Sequence, residues 1–400
     1  MAEENRKSVD LKDSFLRYIS NICHEIGPRP PCSAAEKKCA ERFKNELEPL
    51  CHEIHMESFI AHVAAYKAAF RLPMIFYLIA VGFYWFNSWI SLILISLSVL
   101  ILFGEMALAY NIIDFCFPGH QSVNVMGKIH PTESPKILVL FTSHLDTNWE
   151  FPLMRKLNFY FGLIVAINFL MNGLFLLFLV IKLALDGLYY SSQFMELSQI
   201  FFWIFISATP CILLQLFYLI SNRTQMGAND NLSGMAVCKE LAKEFGSPSH
   251  RLKNVEIWIG AFGCEEIGSR GSQAFARAHR TELKDAKVVN LDILGCKNSP
   301  INIGISEAFG MIKLSRKLAK DIAVIAKDQQ VTYKLGSEMA FTDALSFSRQ
   351  KIEATSLTTF PTSGKEFYYH TRYDTPEYLD MNNLVIAYNI CREFVLQLDK

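Results

Sequence analysis

The 400-residue sequence contains no CxxC or CxxH pair. Its ten cysteines, at positions 23, 32, 39, 51, 116, 211, 238, 264, 296 and 391, are scattered. That spacing argues against a structural zinc ribbon and fits free thiols in a reducing compartment. Net charge is also absent, with 39 basic and 39 acidic residues. Nothing in this balance points to nucleic acid or to a polybasic patch on a membrane surface. The first residues, MAEENRKSVDLKDSFLRYI, are charged and amphipathic and lack the apolar core of a signal peptide. Charge itself is missing from three long stretches, Leu72 to Gly104, Leu157 to Ile181 and Leu197 to Asn222, of about 33, 25 and 26 residues. A spanning helix needs roughly 20 apolar residues, so these read as membrane segments rather than buried core helices.

The first run is too long for one span and is broken at Asn87-Ser88, which predicts a hairpin whose second helix extends through Met106 and Leu108. Glu105 then takes an interfacial position near the end of that helix. The other runs predict helices over about 158–182 and 198–220, the latter kinked at Pro210. Between these segments the pattern changes. Residues 10–56 read as soluble helices around a Gly-Pro-Arg-Pro-Pro turn, with Ser33 as a cap. QSVNVMGKI and KILVLFTSHLD read as strands, the second buried on both faces. Past the fourth span the order is helix 231–246, strand VEIWIGAF, helix 270–281, strands KVVNLDILG and INIGI, helix 307–326, a strand near EATSLTTF and a C-terminal helix. Such alternation implies an α/β fold with a mixed, largely parallel central sheet flanked by helices. The expected division is one discontinuous domain over 10–60, 117–156 and 222–400, interrupted by transmembrane hairpins at 61–116 and 157–221.

Five acidic or histidine motifs fall after strands, where α/β domains place their sites. They are His144-x-Asp146, Asp230 in GANDNLSG, Glu265-Glu266 in GCEEIGSRGS, Asp292 in NLDILG, and His370 in HTRYDTPEYLD. Each has a plain structural alternative. Asp230 could cap a helix, His144 could be a satisfied loop histidine, and a Glu-Glu pair is commonly surface charge. Here the pair follows an apolar strand and precedes Gly268 and Gly271, where adjacent carboxylates need a cation or a proton to coexist. Neutral imidazole and carboxylate together suit zinc, and a carboxylate shared between ions suits a dinuclear site.

In this order the motifs HxD, GAxDNxSG, EExGxxGS, an Asp near LD, and HTxxDTxE resemble the co-catalytic dizinc aminopeptidases, whose relatives include glutamate carboxypeptidase II, the glutaminyl cyclases and the transferrin receptor. The resemblance covers the soluble stretches from about 118 onward and, more weakly, 10–60. It implies two zinc ions bridged by Asp230, with His144 and Asp292 on one and Glu266 and His370 on the other. Glu265 would be the general base that takes a proton from water and delivers it to the leaving amine, and Asp146 would orient His144. Thr371 and Asp374 would stiffen the loop presenting His370. The family's Ser-Asp-His-x-x-Phe stretch appears as Thr342-Asp343-Ala344-Leu345-Ser346-Phe347, without its histidine. The implied activity is removal of N-terminal residues from peptides. The alternatives are a glutaminyl-cyclase-like acyltransferase, whose relatives use one zinc, and a non-catalytic receptor or scaffold, whose relatives lose ligands. Expected partners are a peptide substrate and the lipid bilayer, with no nucleic acid. Lys67, Arg71, Arg155, Lys156 and Arg223 flank the spans on the side of the soluble domain, so the positive-inside rule places that domain in the cytoplasm of a four-helix, multi-pass protein.

Overall fold

The computed structural model describes residues 2–157, 160–186, 192–338, 341–360 and 368–400. Its contacts divide into two units, one of residues 1–61, 119–150 and 223–400, the other of 62–118 and 151–222. In chain order the elements begin with α1 (Ala2–Glu25), α2 (Ala34–Leu47) and β1 (Glu53–Ala61). The apolar helices α3 (Val63–Phe83) and α4 (Ser88–Ile101) follow, then β2 (His120–Ile129) and β3 (Ile137–His144). Next come α5 (Pro152–Leu157), α6 (Phe161–Asp186), α7 (Ser192–Ser207) and α8 (Thr209–Tyr218). The chain continues with α9 (Ser233–Gly246), β4 (Val255–Phe262), α10 (Arg270–Ala278), β5 (Lys287–Leu291), β6 (Ile301–Glu307) and β7 (Ile312–Lys313). It ends with α11 (Arg316–Asp328), β8 (Tyr333–Ser337), α12 (Ala344–Arg349), β9 (Glu353–Thr359) and α13 (Met381–Leu398).

The nine strands among the described residues join one sheet in the order β1-β2-β4-β3-β5-β9-β6-β7, with β8 pairing β6. The centre, β4-β3-β5-β9, is parallel. Antiparallel pairs β1–β2, β2–β4 and β6–β9 extend it on either side. The sheet is therefore mixed around a parallel core, as its strand patterns lead one to expect. Alternate residues of the central strands face opposite layers. Val139, Phe141, Ile257, Ile259 and Val289 pack with α1, α2, α9, α11 and α13. Leu140, Trp258 and Val288 pack with α10 and α12 on the other face. Both faces are covered, which is why β3 and β4 read as nearly continuous apolar runs.

Two local expectations need correction. Residues 53–56, expected at the end of the helical stretch 10–56, belong instead to β1. This edge strand buries little of its length, so its sequence carries weak apolar alternation. The segment expected as a helix from 307 starts its helix only at Arg316, where Ser315 Oγ accepts from Leu318 N at 3.3 Å. Gly310, at φ +89°, turns the chain before it. The short strands β7 and β8 and the helix α12 had no sequence signal that marked them.

In the second unit, among the described residues, four helices are long and apolar enough to cross a membrane: Val63–Phe83, Ser88–Ala107, Phe161–Leu185 and Phe194–Tyr218. Asn87 caps the second of them, accepting from Trp89 N and Ile90 N. The fourth is interrupted at Ala208, with Pro210 in the first turn of α8, where a missing N–H is tolerated. Glu105 accepts from Ile113 N at 2.8 Å, so its carboxylate is engaged where that apolar helix ends.

Candidate metal centre

The carboxyl ends of β3, β4 and β5 converge, and each strand hands its last residues to a turn. His144 closes β3, Glu265 and Glu266 follow β4, and Asp292 follows β5. GANDNLSG reaches the same point from the N-terminal side of α9. Gly227 opens it at φ +68°, where a Cβ would collide with Thr147 at 2.2 Å. Gly234 lets α9 approach the carbonyl of Leu291 at the end of β5, which a Cβ would meet at 2.2 Å. The helix cap comes from Asn231, whose Oδ1 accepts from Gly234 N at 3.0 Å. The capping role considered for Asp230 therefore falls to its neighbour, and the Asp230 carboxylate turns into the centre.

There it meets two groups. His144, Asp230 and Asp292 offer ligand atoms within 4.8 Å of one another, and so do Asp230, Glu266 and His370. Asp230 belongs to both, one oxygen to each. Oδ1 lies 3.0 Å from His144 Nε2. Oδ2 lies 3.2 Å from His370 Nε2. Asp292 Oδ1 completes the first group at 3.5 Å from His144 Nε2. Glu266 Oε2 completes the second at 3.0 Å from His370 Nε2. All five residues are buried.

Several atoms of the centre have no hydrogen bond. Both ring nitrogens of His144, Oδ2 of Asp230 and Oδ1 of Asp292 are buried and have no hydrogen-bond partner among the described residues. Orphaned buried polar atoms of this kind are costly unless a ligand engages them. The charges say the same. Burial pushes the carboxyls of Glu265 and Asp292 above the usual range, and burial with the Asp230 charge takes Glu266 up to about 7. Burial disfavours charged imidazole, yet the surrounding carboxylates hold His144 well above the histidine range and His370 up to about 9. Protons thus hold the surplus negative charge when no cation does. Imidazole and carboxylate donors are those zinc accepts, and the two groups fit two ions.

Residues 216–395 match the family model described as peptidase family M28. Over those residues the chain is similar to the M28 peptidases, and with its imidazole–carboxylate groups it is a zinc-dependent peptidase. The solved structures it is similar to agree in fold. A Zn-dependent exopeptidase from Parabacteroides distasonis is 15% identical, with 96% of this chain and 97% of that one covered at a TM-score of 0.56. A zinc aminopeptidase from Bacillus subtilis is 15% identical, with 97% and 95% covered at 0.56. A glutaminyl cyclase from Fimbriiglobus ruber is 14% identical, with 97% and 95% covered at 0.56. A comparison with curated proteins finds no match. His144 and Asp146 lie outside the span matched by the family model, and β3 brings them to the residues within it.

Other residues of the first unit hold the groups in place. Asp146 does more than face His144, whose Nδ1 is 3.5 Å from its Oδ1. Its two oxygens accept from Glu265 N at 3.0 Å and Glu266 N at 3.1 Å, fixing the Glu-Glu turn. Asp374 accepts from Asn229 N at 2.6 Å and Asp230 N at 3.1 Å, so it holds the backbone of Asp230 as well as its own loop. Thr371 Oγ1 donates to Tyr368 O at 2.7 Å, within the turn that presents His370. Glu265 Oε1 accepts from Ser269 Oγ at 3.1 Å, while its Oε2 lies 3.9 Å from His144 Nε2. Asp343, expected near the substrate pocket, is fully buried with both oxygens unpartnered among the described residues, and burial takes its carboxyl up to about 8.

Three supports went unread in the sequence. Asn148 donates from N and Nδ2 to the two oxygens of Glu266, at 2.9 and 2.7 Å. The spacing 144-146-148 was its signal, because alternate residues of an extended segment share a face. Arg29, fully buried in the Gly-Pro-Arg-Pro-Pro turn, donates to the carbonyls of Leu145, Met226 and Gly227 at 2.8, 3.0 and 3.0 Å. It ties the His144 loop to the Asp230 loop across 116 and 198 residues of sequence, and no local pattern marks such a link. Tyr369 stacks on His370 with ring centroids 3.7 Å apart. A cleft beside Asp230 is lined by Asn229, Ile293, Cys296, Tyr368, Tyr373 and Tyr378.

Proposed function

We propose that the protein is a membrane-embedded dizinc aminopeptidase. The observation that carries this reading is Asp230, the one residue common to both imidazole–carboxylate groups. His144 and Asp292 would hold one zinc, Glu266 and His370 the other, and Asp230 would bridge them. Bound zinc supplies Lewis acidity toward a carbonyl oxygen and lowers the pKa of water. Glu265 is the general base: its Oε2 takes the proton as water attacks the scissile carbonyl, then returns it to the departing amine. Asp146 and Asn148 position the two glutamates, and Asp374 positions Asp230. The aromatic cleft beside Asp230 receives the N-terminal side chain of the peptide.

The four apolar helices support a multi-pass membrane protein. Lys67, Arg71, Arg155, Lys156 and Arg223 support a cytoplasmic M28 unit. A glycan on the sequon Asn222-Arg-Thr would reverse that orientation.

Glutaminyl cyclases share the fold as closely as aminopeptidases do, so the fold does not choose between hydrolysis and acyl transfer. The paired ligand groups favour hydrolysis. The test is metal content together with turnover of aminoacyl-anilides, amino-blocked peptides and N-terminal glutaminyl peptides by the detergent-solubilised chain. Two zinc ions and cleavage of free-amine substrates are expected. Cyclisation without cleavage would establish the transferase, and bound zinc with no turnover the scaffold.

A further inference from the structure

Beside the metal centre, two thiols from distant parts of the chain meet. Cys32 Sγ and Cys264 Sγ lie 3.4 Å apart across a sequence separation of 232. Both residues stand in the left-handed region, at φ 59° and 57°, which residues other than glycine seldom adopt. One buried carboxylate holds them there. Glu36 Oε2 accepts from Cys32 N at 2.7 Å, and Oε1 accepts from Cys264 N at 2.8 Å. Ser122 Oγ steadies the same carboxylate at 2.8 Å, and Glu36 itself is 1% exposed. The pair is unequal in access, since Cys32 is half-buried and Cys264 fully buried. Cys264 directly precedes Glu265 and Glu266.

We propose that Cys32 and Cys264 are a redox modification site. They close to a reversible disulfide in exchange with low-molecular-weight disulfides, and closure disables the metal centre. The accessible Cys32 thiolate attacks the small disulfide, forming a mixed disulfide and releasing one small thiol. Cys264 then attacks the Cys32 sulfur and expels the second small thiol. Its proton leaves toward Glu36 Oε1, which lies 3.6 Å from its sulfur. Two protein thiols are oxidised and one small disulfide is reduced to two thiols. Disulfides in a reducing compartment are characteristically transient and redox-sensing, and a pair held in contact by a shared carboxylate suits that use.

Closure has a structural consequence. A disulfide needs about 2.05 Å between sulfurs, so the pair must approach by more than 1 Å from its 3.4 Å separation. Glu265 N and Glu266 N are fixed to Asp146 at 3.0 and 3.1 Å, and Cys264 is joined to them covalently. Movement of Cys264 therefore draws the base and a ligand away from their partners. A displacement near 1 Å in such a site costs on the order of 10²-fold in rate.

The test equilibrates the full-length detergent-solubilised chain with graded ratios of oxidised to reduced glutathione, then maps cysteines by non-reducing peptide mass spectrometry. A peptide pair joining Cys32 to Cys264 is expected, preceded in time by glutathione on Cys32. Turnover should fall about 10²-fold with the cross-link and return with dithiothreitol. Cys32→Ser should form no link and keep its turnover under oxidation. Glutathione that stays on Cys32 without a cross-link would overturn the site, and a complete cross-link with unchanged turnover would overturn the switch. The link is read by mass and zinc content alongside it, so this result is separate from the success or failure of the peptidase reading. Cys264→Ser should likewise form no link, and if it does not fold the Cys32 variant alone decides.

Discussion

The two units bury polar groups by opposite rules. In the unit that carries the imidazole–carboxylate groups, the buried groups at the centre are charged, crowded and incompletely bonded to one another. His144, Asp230 and Asp292 leave atoms without hydrogen bonds, while Glu265, Glu266, Asp146 and Asp374 add further carboxyl groups close by. In the apolar unit the buried groups are mostly neutral and several bond to one another, although Ser198 Oγ and Thr209 Oγ1 have no hydrogen-bond partner among the described residues. Ser98 Oγ donates to Pro73 O at 2.9 Å and Asn172 Oδ1 at 2.6 Å, and Asn172 Nδ2 donates to Asn168 Oδ1 at 2.8 Å. Asn168 Nδ2 reaches Gln215 Oε1 at 3.3 Å, and Gln215 Nε2 reaches Ile164 O at 3.1 Å. The one buried lysine there, Lys182, sits 4.5 Å over the Tyr84 ring and donates to Tyr84 O and Ser88 Oγ at 3.0 and 2.7 Å. A network of the second kind links helices and holds them in register. A cluster of the first kind is unfavourable as protein alone and favourable once cations enter, which is the behaviour of a site.

That contrast can be broken by mutation, and the largest effect should come at its centre. Asp230→Ala removes the residue both groups share, so both metals and all turnover should be lost; retention of either ion on metal analysis would show that Asp230 is not the bridge. Glu265→Gln keeps the ligand set but removes the base. Zinc content should be unchanged and turnover should fall by about two to four orders of magnitude. A wild-type rate would end the assignment of Glu265.

A third substitution probes a buried acid away from the ligands. Glu338 Oε1 accepts from Asn302 Nδ2 at 2.6 Å and Thr358 Oγ1 at 2.7 Å. Burial nonetheless raises its carboxyl from 4.5 to about 7. The folded state therefore binds the proton more tightly than the unfolded state does. The stabilisation is complete below about pH 4.5 and is lost as pH rises through about 7, an amount of about 3 kcal/mol. Glu338→Gln keeps an acceptor and cannot titrate, so its stability relative to the parent should increase across that window in chemical-denaturation curves. Parallel curves at every pH would place the titration elsewhere.

The smallest effect belongs to the apolar unit. Asn172→Leu deletes bonds between neutral groups, and the expected loss is about 0.6 kcal/mol and no more than roughly 1.7. Metal content and turnover should stay at the parent values. A loss of zinc in this variant would mean that the units do not follow separate rules.

Much of the centre was legible in the sequence because its donors sit in short motifs at strand ends. Periodicity located β3, β4, β5 and β9, and the residues just beyond each strand were chemically unusual for their places. Charge-free runs likewise located four long apolar helices, since a bilayer-length run has few other uses. The edge strand β1 was misread because a strand solvated along most of its length carries little apolar alternation. The helix misplaced at 307 shows how a run of helix-forming residues says less than the cap at Ser315.

Sequence alone determined the donor types, their order along the chain and the apolar segments, because these depend on composition and short spacing. Tertiary structure alone decided that the two oxygens of Asp230 face different histidines and that Asp146 grips the backbone of the Glu-Glu turn. It also brought Arg29 and Glu36 beneath the centre and set Cys32 against Cys264. Those relations join segments more than 80 residues apart, and only the packing of the sheet and its flanking helices fixes the distances at which such groups meet.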